Sequence, residues 1–185
     1  MDQKPFNELV RIVKKLSYRE GDFTLASGKK SRFYIDLKAS TLHPDGAYWI
    51  GEAALDVMER EKLKVDAVGG LTLGADPIAT AISLAARHRG KVLPAYIVRK
   101  EPKDHGTARY IEGVENIPAG APVLVLEDVV TTGGSSLKAI VRLRESGFKP
   151  VAVLTVVDRE EGGAAAIRKE GCDFFALTTI REIQI

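Results

Sequence analysis

Two adjacent carboxylates, Glu127 and Asp128, close an apolar run and are followed by Val129, Val130 and then Thr131, Thr132, Gly133, Gly134 and Ser135. Acids that accept from vicinal hydroxyls, next to a loop of hydroxyl and small side chains, make a cradle for a sugar phosphate. Low side-chain bulk lets backbone N–H groups approach the phosphate closely. The elements that hold these residues follow from the pattern around them. Residues 123–126 read as a strand buried on both faces, so the acid pair falls at its carboxyl end, where open α/β sheets bind ligands. Residues 137–145 read as a helix whose N-terminal dipole favours an anion, with Ser135 or Ser136 as the expected cap. A strand ending in two acids also describes a Mg²⁺ site of the Walker B or receiver type. The chain has no GxxxxGK[ST] loop to complete a nucleoside triphosphatase.

Four other places carry chemistry. Arg99, Lys100, Lys103 and His105 stand in VRKEPKDHGTARYIEG between two strand-like stretches. Several cations and a donor His on a loop with Pro and Gly suit the wrapping of a highly charged leaving group, and a solvated basic loop is the plainer alternative. FTLASGKKSRFYIDLKAS, residues 23–40, reads as strand, turn at Ser27-Gly28 and second strand, in which Phe33 and Tyr34 are aromatics of the kind strands favour. Arg159 follows the apolar run 151–157, where its guanidinium either grips a carboxylate or pairs with Glu160 and Glu161. GGLTLGADP, residues 69–77, is a loop for a diphosphate through its amides, or a tight strand-to-helix connection.

The acid pair and its loop resemble the phosphoribosyl diphosphate (PRPP) signature of the type I phosphoribosyltransferases. The RK, further Lys and His-Gly of the basic loop, the Ser-Gly hairpin and Arg159 are together similar to the orotate phosphoribosyltransferases. The resemblance spans nearly the whole chain, with its specific part in those segments. It implies that Glu127 and Asp128 bind the ribose hydroxyls, and that Val129, Val130 and residues Thr131 to Ser135 line the 5-phosphate site. Arg99, Lys100, Lys103 and His105 would take the diphosphate, and Thr131, Arg159, Phe33 and Tyr34 the orotate, with Lys103 and Asp128 catalytic. Mg²⁺ would arrive mainly through the substrate, with no dedicated protein site. Lys100, Lys103 and His105 would reach a neighbouring subunit's site in a homodimer. The implied reaction moves ribose 5-phosphate from PRPP to orotate, giving orotidine 5'-monophosphate and diphosphate in UMP biosynthesis. Two departures stand out. Ala26 occupies the place of a basic residue before the Ser-Gly, with Lys29 and Lys30 nearby, and GGLTLGADP lacks the Tyr-Lys pair of some family members. The rival functions are transfer to another nucleobase and PRPP sensing without turnover.

Composition fits one domain: 185 residues, 45% hydrophobic, form a sizeable core. A formal charge of +2 requires no nucleic-acid surface, and the apolar runs are too short to span a membrane. One cysteine, Cys172, and three histidines leave neither an internal disulfide nor a zinc set, which suits a reducing cytoplasm. Strand-like runs at residues 65–68, 92–98, 123–126, 151–157 and 174–177, with helices at 75–87 and 137–145, predict an α/β fold with a mainly parallel sheet. Phe6, Leu9, Val10, Val13 and Leu16 predict an amphipathic N-terminal helix. Residues 100–120 show no helical period, are too polar for the core, and are expected to form a flap. By the resemblance, residues 1–45 with the C-terminal tail form a small hood, and about 100–113 a flexible catalytic loop.

Overall fold

The computed structural model describes residues 3–24, 28, 30–102 and 110–185. The expected helical spacing gives α1 (Lys4–Leu16), with Leu9, Ile12 and Val13 buried. An antiparallel ribbon follows, β1 (Tyr18–Thr24) and β2 (Lys30–Ile35). The expectation of a strand as far as residue 40 is corrected, because the Asp36 carboxylate accepts from the Lys38 amide at 3.1 Å and turns the chain into the short α2 (Lys38–Thr41). Next comes α3 (Pro44–Arg60), which the strand-and-helix assignment above does not contain. Its start is nonetheless written in the chain: His43 accepts from the Asp45 amide at 3.2 Å, and Pro44 fills the first helical position. Ile50, Ala53, Ala54 and Val57 then face the core at helical spacing.

The remaining elements alternate: β3 (Ala67–Leu71), α4 (Ala75–His88), β4 (Ala95–Val98), β5 (Ile111–Glu112), β6 (Pro122–Val130), α5 (Gly134–Glu145), β7 (Lys149–Asp158), α6 (Gly163–Lys169), β8 (Asp173–Thr179) and α7 (Ile180–Gln184). One six-stranded sheet has the order β5-β4-β3-β6-β7-β8, parallel except for β5 at the edge. The expected parallel sheet is therefore present, with boundaries moved. Residues 92–94 precede β4, and β6 runs on through Val130, so Glu127 and Asp128 lie within a strand rather than just past one. The flap expected over 100–120 is corrected in its second half. Ile111 and Ile117 are buried, and β5 pairs with β4 there, because two isolated apolar residues suffice to anchor an edge strand.

Side-chain alternation divides the core into two layers. Leu124 and Leu126 pack with α1, α3 and α4 on one face, while Val123 and Val125 pack with α5 and α6 on the other. The chain leaves β3 through α4 toward β4 on one side, and leaves β6 through α5 toward β7 on the other. The carboxyl ends of β3 and β6 thus meet at a topological switch point, where such sheets bind ligands. Among the described residues no helix is long and apolar enough to cross a membrane.

Candidate active site

The loop after β6 surrounds a cavity of about 280 Å³ bounded by Glu127, Val129, Val130, Thr131, Thr132, Gly133, Gly134, Ser135, Ser136 and Lys138. The expected cap is corrected. Gly133 is the N-cap, in the left-handed region at φ 84°, and helix α5 begins at Gly134 with no side-chain cap. The first-turn N–H groups are therefore left to a ligand rather than closed by serine, as an anion site at a helix N-terminus requires. Ser136 turns inward instead and donates to Glu127 Oε2 at 3.3 Å. The loop is braced from behind by α6, whose Gly163 amide donates to the Thr131 carbonyl at 2.9 Å.

The two acids occupy different faces of β6. Glu127 lies on the α5 side, buried and bonded to Ser136, and borders the cavity after β6. Asp128 lies on the α4 side, half-buried, and accepts from the Val129 amide at 2.8 Å. Gly74 of the loop after β3 approaches it so closely that a Cβ there would stand 2.9 Å from the carboxylate. The second loop is thereby placed at the same switch point. Within GGLTLGADP, Gly69 and Gly70 belong to buried β3, whereas Gly74 borders the acid. Thr72 donates to Asp76 Oδ2 at 2.6 Å and fixes that loop's shape. Lys38, absent from the candidate residues, adds a cation to this side. Its ammonium pairs with Asp36 at 2.7 Å, and that bond, with a smaller contribution from the charge of Asp128, raises its pKa.

Burial pushes the Glu127 carboxyl up to about 8, and the neighbouring charge of Asp128 adds to the shift. The usual value is 4.5, so between about pH 4.5 and 8 the folded protein keeps a proton that the unfolded chain releases. The resulting stability is full below that window and is lost as pH rises through about 8. Glu127→Gln, which keeps the shape and removes the titration, is expected to lose less stability than the unmodified protein between about pH 5 and pH 9. Denaturant midpoints across that range check this, and identical slopes for both proteins would contradict it.

Arg159 lies at the carboxyl end of β7, with its amide donating to the Val130 carbonyl at 2.9 Å, and its side chain is only 12% exposed. It does pair with Glu161, at 2.8 Å, as the plainer alternative expects. Burial separates it from an ordinary surface pair, however, and its guanidinium lies 4.9 Å from the centroid of Phe33. Its Nε is buried and has no hydrogen-bond partner among the described residues. Phe33 and Tyr34 are divided by strand alternation. Phe33 stacks between Arg159 and Tyr18, whereas Tyr34 is exposed and tilts against Phe23. The structure thus brings Thr131, Arg159 and Phe33 to one side, whereas Tyr34 turns to the other face of the ribbon, against Phe23. A larger hollow of about 600 Å³ opens beside Phe33, lined by Glu20 and Asp22 with Arg32 as the one opposing charge in its lining, so its balance is negative and disfavours an anion.

Arg99 and Lys100 follow β4, with Arg99 paired to Glu112 at 3.1 Å and Lys100 exposed. Lys103, His105, Ala26 and Lys29 lie outside the described residues. Among the described residues no three His, Cys, Asp or Glu side chains gather into a metal-sized group. The acids at the switch point are Glu127, which burial pushes toward protonation, and Asp128. That donor set would suit a Mg²⁺ ion carried mostly on substrate oxygens, with Asp128 as the carboxylate that could hold it.

A ligand with a phosphate on the α5 amides, hydroxyls at the acids and a second anionic group toward the loop after β3 has the layout of PRPP. The fold and the site accordingly make this chain a type I phosphoribosyltransferase. No protein-family model matches the chain. It is 48% identical to orotate phosphoribosyltransferase from Nostoc sp. over 177 residues, 96% of this chain and 84% of that one. Identity is again 48% to the orotate phosphoribosyltransferase of Aquifex aeolicus over 179 residues, 95% of this chain and 96% of that one. The crystal structure of Mycobacterium tuberculosis orotate phosphoribosyltransferase in complex with PRPP superposes with a TM-score of 0.82 at 36% identity, covering 98% of this chain and 99% of that one. The chain belongs to the orotate phosphoribosyltransferase family.

Proposed function

We propose that the site transfers ribose 5-phosphate from PRPP to orotate, giving orotidine 5'-monophosphate and diphosphate. The observation that carries this is the pairing of the phosphate cradle with a buried, half-partnered Arg159 at the ends of adjacent parallel strands. The helix N-terminus takes the 5-phosphate, and Asp128 and Glu127 take the ribose hydroxyls. Arg159 grips the orotate carboxylate, with Phe33 holding the guanidinium plane in place. Breaking the bond from C1 to diphosphate leaves positive charge on the sugar and negative charge on the leaving group. Asp128 stands on the sugar side, and Arg99, Lys100 and Lys103 stabilise the diphosphate by charge and positioning, without a covalent intermediate. Bound Mg²⁺ would supply further positive charge to the diphosphate. Orotate-dependent release of diphosphate from PRPP supports this reaction, and release that is indifferent to orotate overturns it.

The working unit we propose is a cytoplasmic homodimer, each subunit one catalytic domain with residues 1–45 and the C-terminal tail as its hood. Gln184 of α7 donates to the Tyr18 hydroxyl of β1 at 3.4 Å, which supports joining the two termini in one subdomain. Lys100, Lys103 and His105 would serve the neighbouring subunit. Lys103→Ala should lower turnover far more than it weakens orotate binding. If sites are shared, an equal mixture of inactive Lys103→Ala and Asp128→Asn subunits regains about a quarter of normal activity on reassociation, because half the dimers then hold one intact site of two. A mixture no more active than its components would contradict sharing.

A further inference from the structure

Arg142 belongs to α5, the helix whose N-terminus meets the phosphate, and lies about 12 Å along its axis from the first turn. Its guanidinium leaves that helix and reaches the segment after β4. Nη1 donates to the Arg99 carbonyl, and Nη2 donates to the Lys100 carbonyl at 2.7 Å. The same group lies 4.3 Å from the ring centroid of Tyr110, on the returning segment that enters β5. The two segments are themselves joined by the Arg99 amide, which donates to the Tyr110 carbonyl at 2.8 Å. Among the described residues the partners of Arg142 are two carbonyls and a ring, all neutral. The contact satisfies two carbonyls just past the end of β4, and the planar fork that spans both while stacking on a ring is a geometry only arginine offers.

We propose that Arg142 is a positioning residue for PRPP. It ties the backbone of Arg99 and Lys100, whose side chains serve the diphosphate, to α5, and so fixes the place from which that segment reaches the substrate, which for Lys100 lies in the neighbouring subunit's site. This rests on the diphosphate role given to Arg99 and Lys100 above. Arg142 acts through those residues and touches neither substrate.

The test is steady-state kinetics on the whole protein, varying PRPP at saturating orotate and orotate at saturating PRPP, for Arg142→Met, Lys100→Ala and the double variant. Arg142→Met keeps the aliphatic bulk and removes the donors. It is expected to raise the PRPP KM about tenfold and lower kcat by a similar factor, with the orotate KM changed less than about twofold. Because Arg142 acts through the segment bearing Lys100, the double variant should lose clearly less than the product of the single losses. A general structural defect would instead move both KM values together, with multiplicative losses, and would overturn the inference. Impaired Lys100→Ala beside unimpaired Arg142→Met would overturn it alone. Lys100→Ala with unchanged PRPP constants would overturn the reading of the segment, and this inference with it. Should Arg142→Met fold poorly, Arg142→Lys serves in its place. With its charge kept but the two-carbonyl fork lost, it should raise the PRPP KM about threefold, and unchanged constants would count against the proposal.

Discussion

Asparagine in place of Asp128 is expected to lower kcat by about 10²- to 10³-fold while the protein stays folded. The side chain is half-buried at the switch point, against the loop bearing Gly74 and near the cation of Lys38. Its negative charge is the one available to the sugar as C1 becomes positive, since burial pushes Glu127 toward the neutral acid. The substitution keeps the size of the side chain and its acceptor for the Val129 amide, so packing has little reason to change. Single-turnover rates with a thermal melt on the same preparation check the expectation. A variant that melts normally and turns over at near-normal rate would remove Asp128 from the chemistry.

Lysine in place of Arg159 is the second large effect. Arginine here combines a stack on Phe33, a pair with Glu161 and a buried Nε without an acceptor among the described residues. Lysine offers one point charge, cannot stack as a plane, and would leave the ligand's carboxylate with a single donor. The orotate KM is expected to rise about 10²-fold, a loss typical of a broken charge-assisted bidentate contact, while the PRPP KM changes little. Equal effects on the two substrates would place Arg159 outside the orotate pocket.

Much of this arrangement was legible in the sequence, for identifiable reasons. Buried parallel strands appear as uninterrupted apolar runs, so the stretches that form β3, β4, β6, β7 and β8 could be located from the apolar pattern. The loop after β6 was legible because Thr131 to Ser135 place small side chains at consecutive positions. What escaped were features set by three-dimensional packing. Helix α3 carries Gly46 and Gly51, which dilute its apolar period although its face is buried. Strand β5 is two residues long and exists only because β4 offers an edge. The serine cap failed because Gly133 adopts a positive φ and Ser136 finds a better use against Glu127. Neighbours in sequence were also read as neighbours in function. Alternation sends Glu127 and Asp128 to opposite faces of the sheet, and Phe33 and Tyr34 to opposite faces of the ribbon. Lys38 and Arg142 have no sequence motif, since each matters through what the fold sets beside it.

The most direct measurement is Mg²⁺-dependent diphosphate release from PRPP with orotate, uracil, adenine, guanine, hypoxanthine and xanthine in turn, with nucleotide products identified in the same samples. The site described here predicts turnover with orotate alone, to orotidine 5'-monophosphate, and none with uracil, which has the same ring but no carboxylate for Arg159. Comparable turnover of uracil or a purine, or PRPP binding with no nucleotide formed from any base, would contradict it.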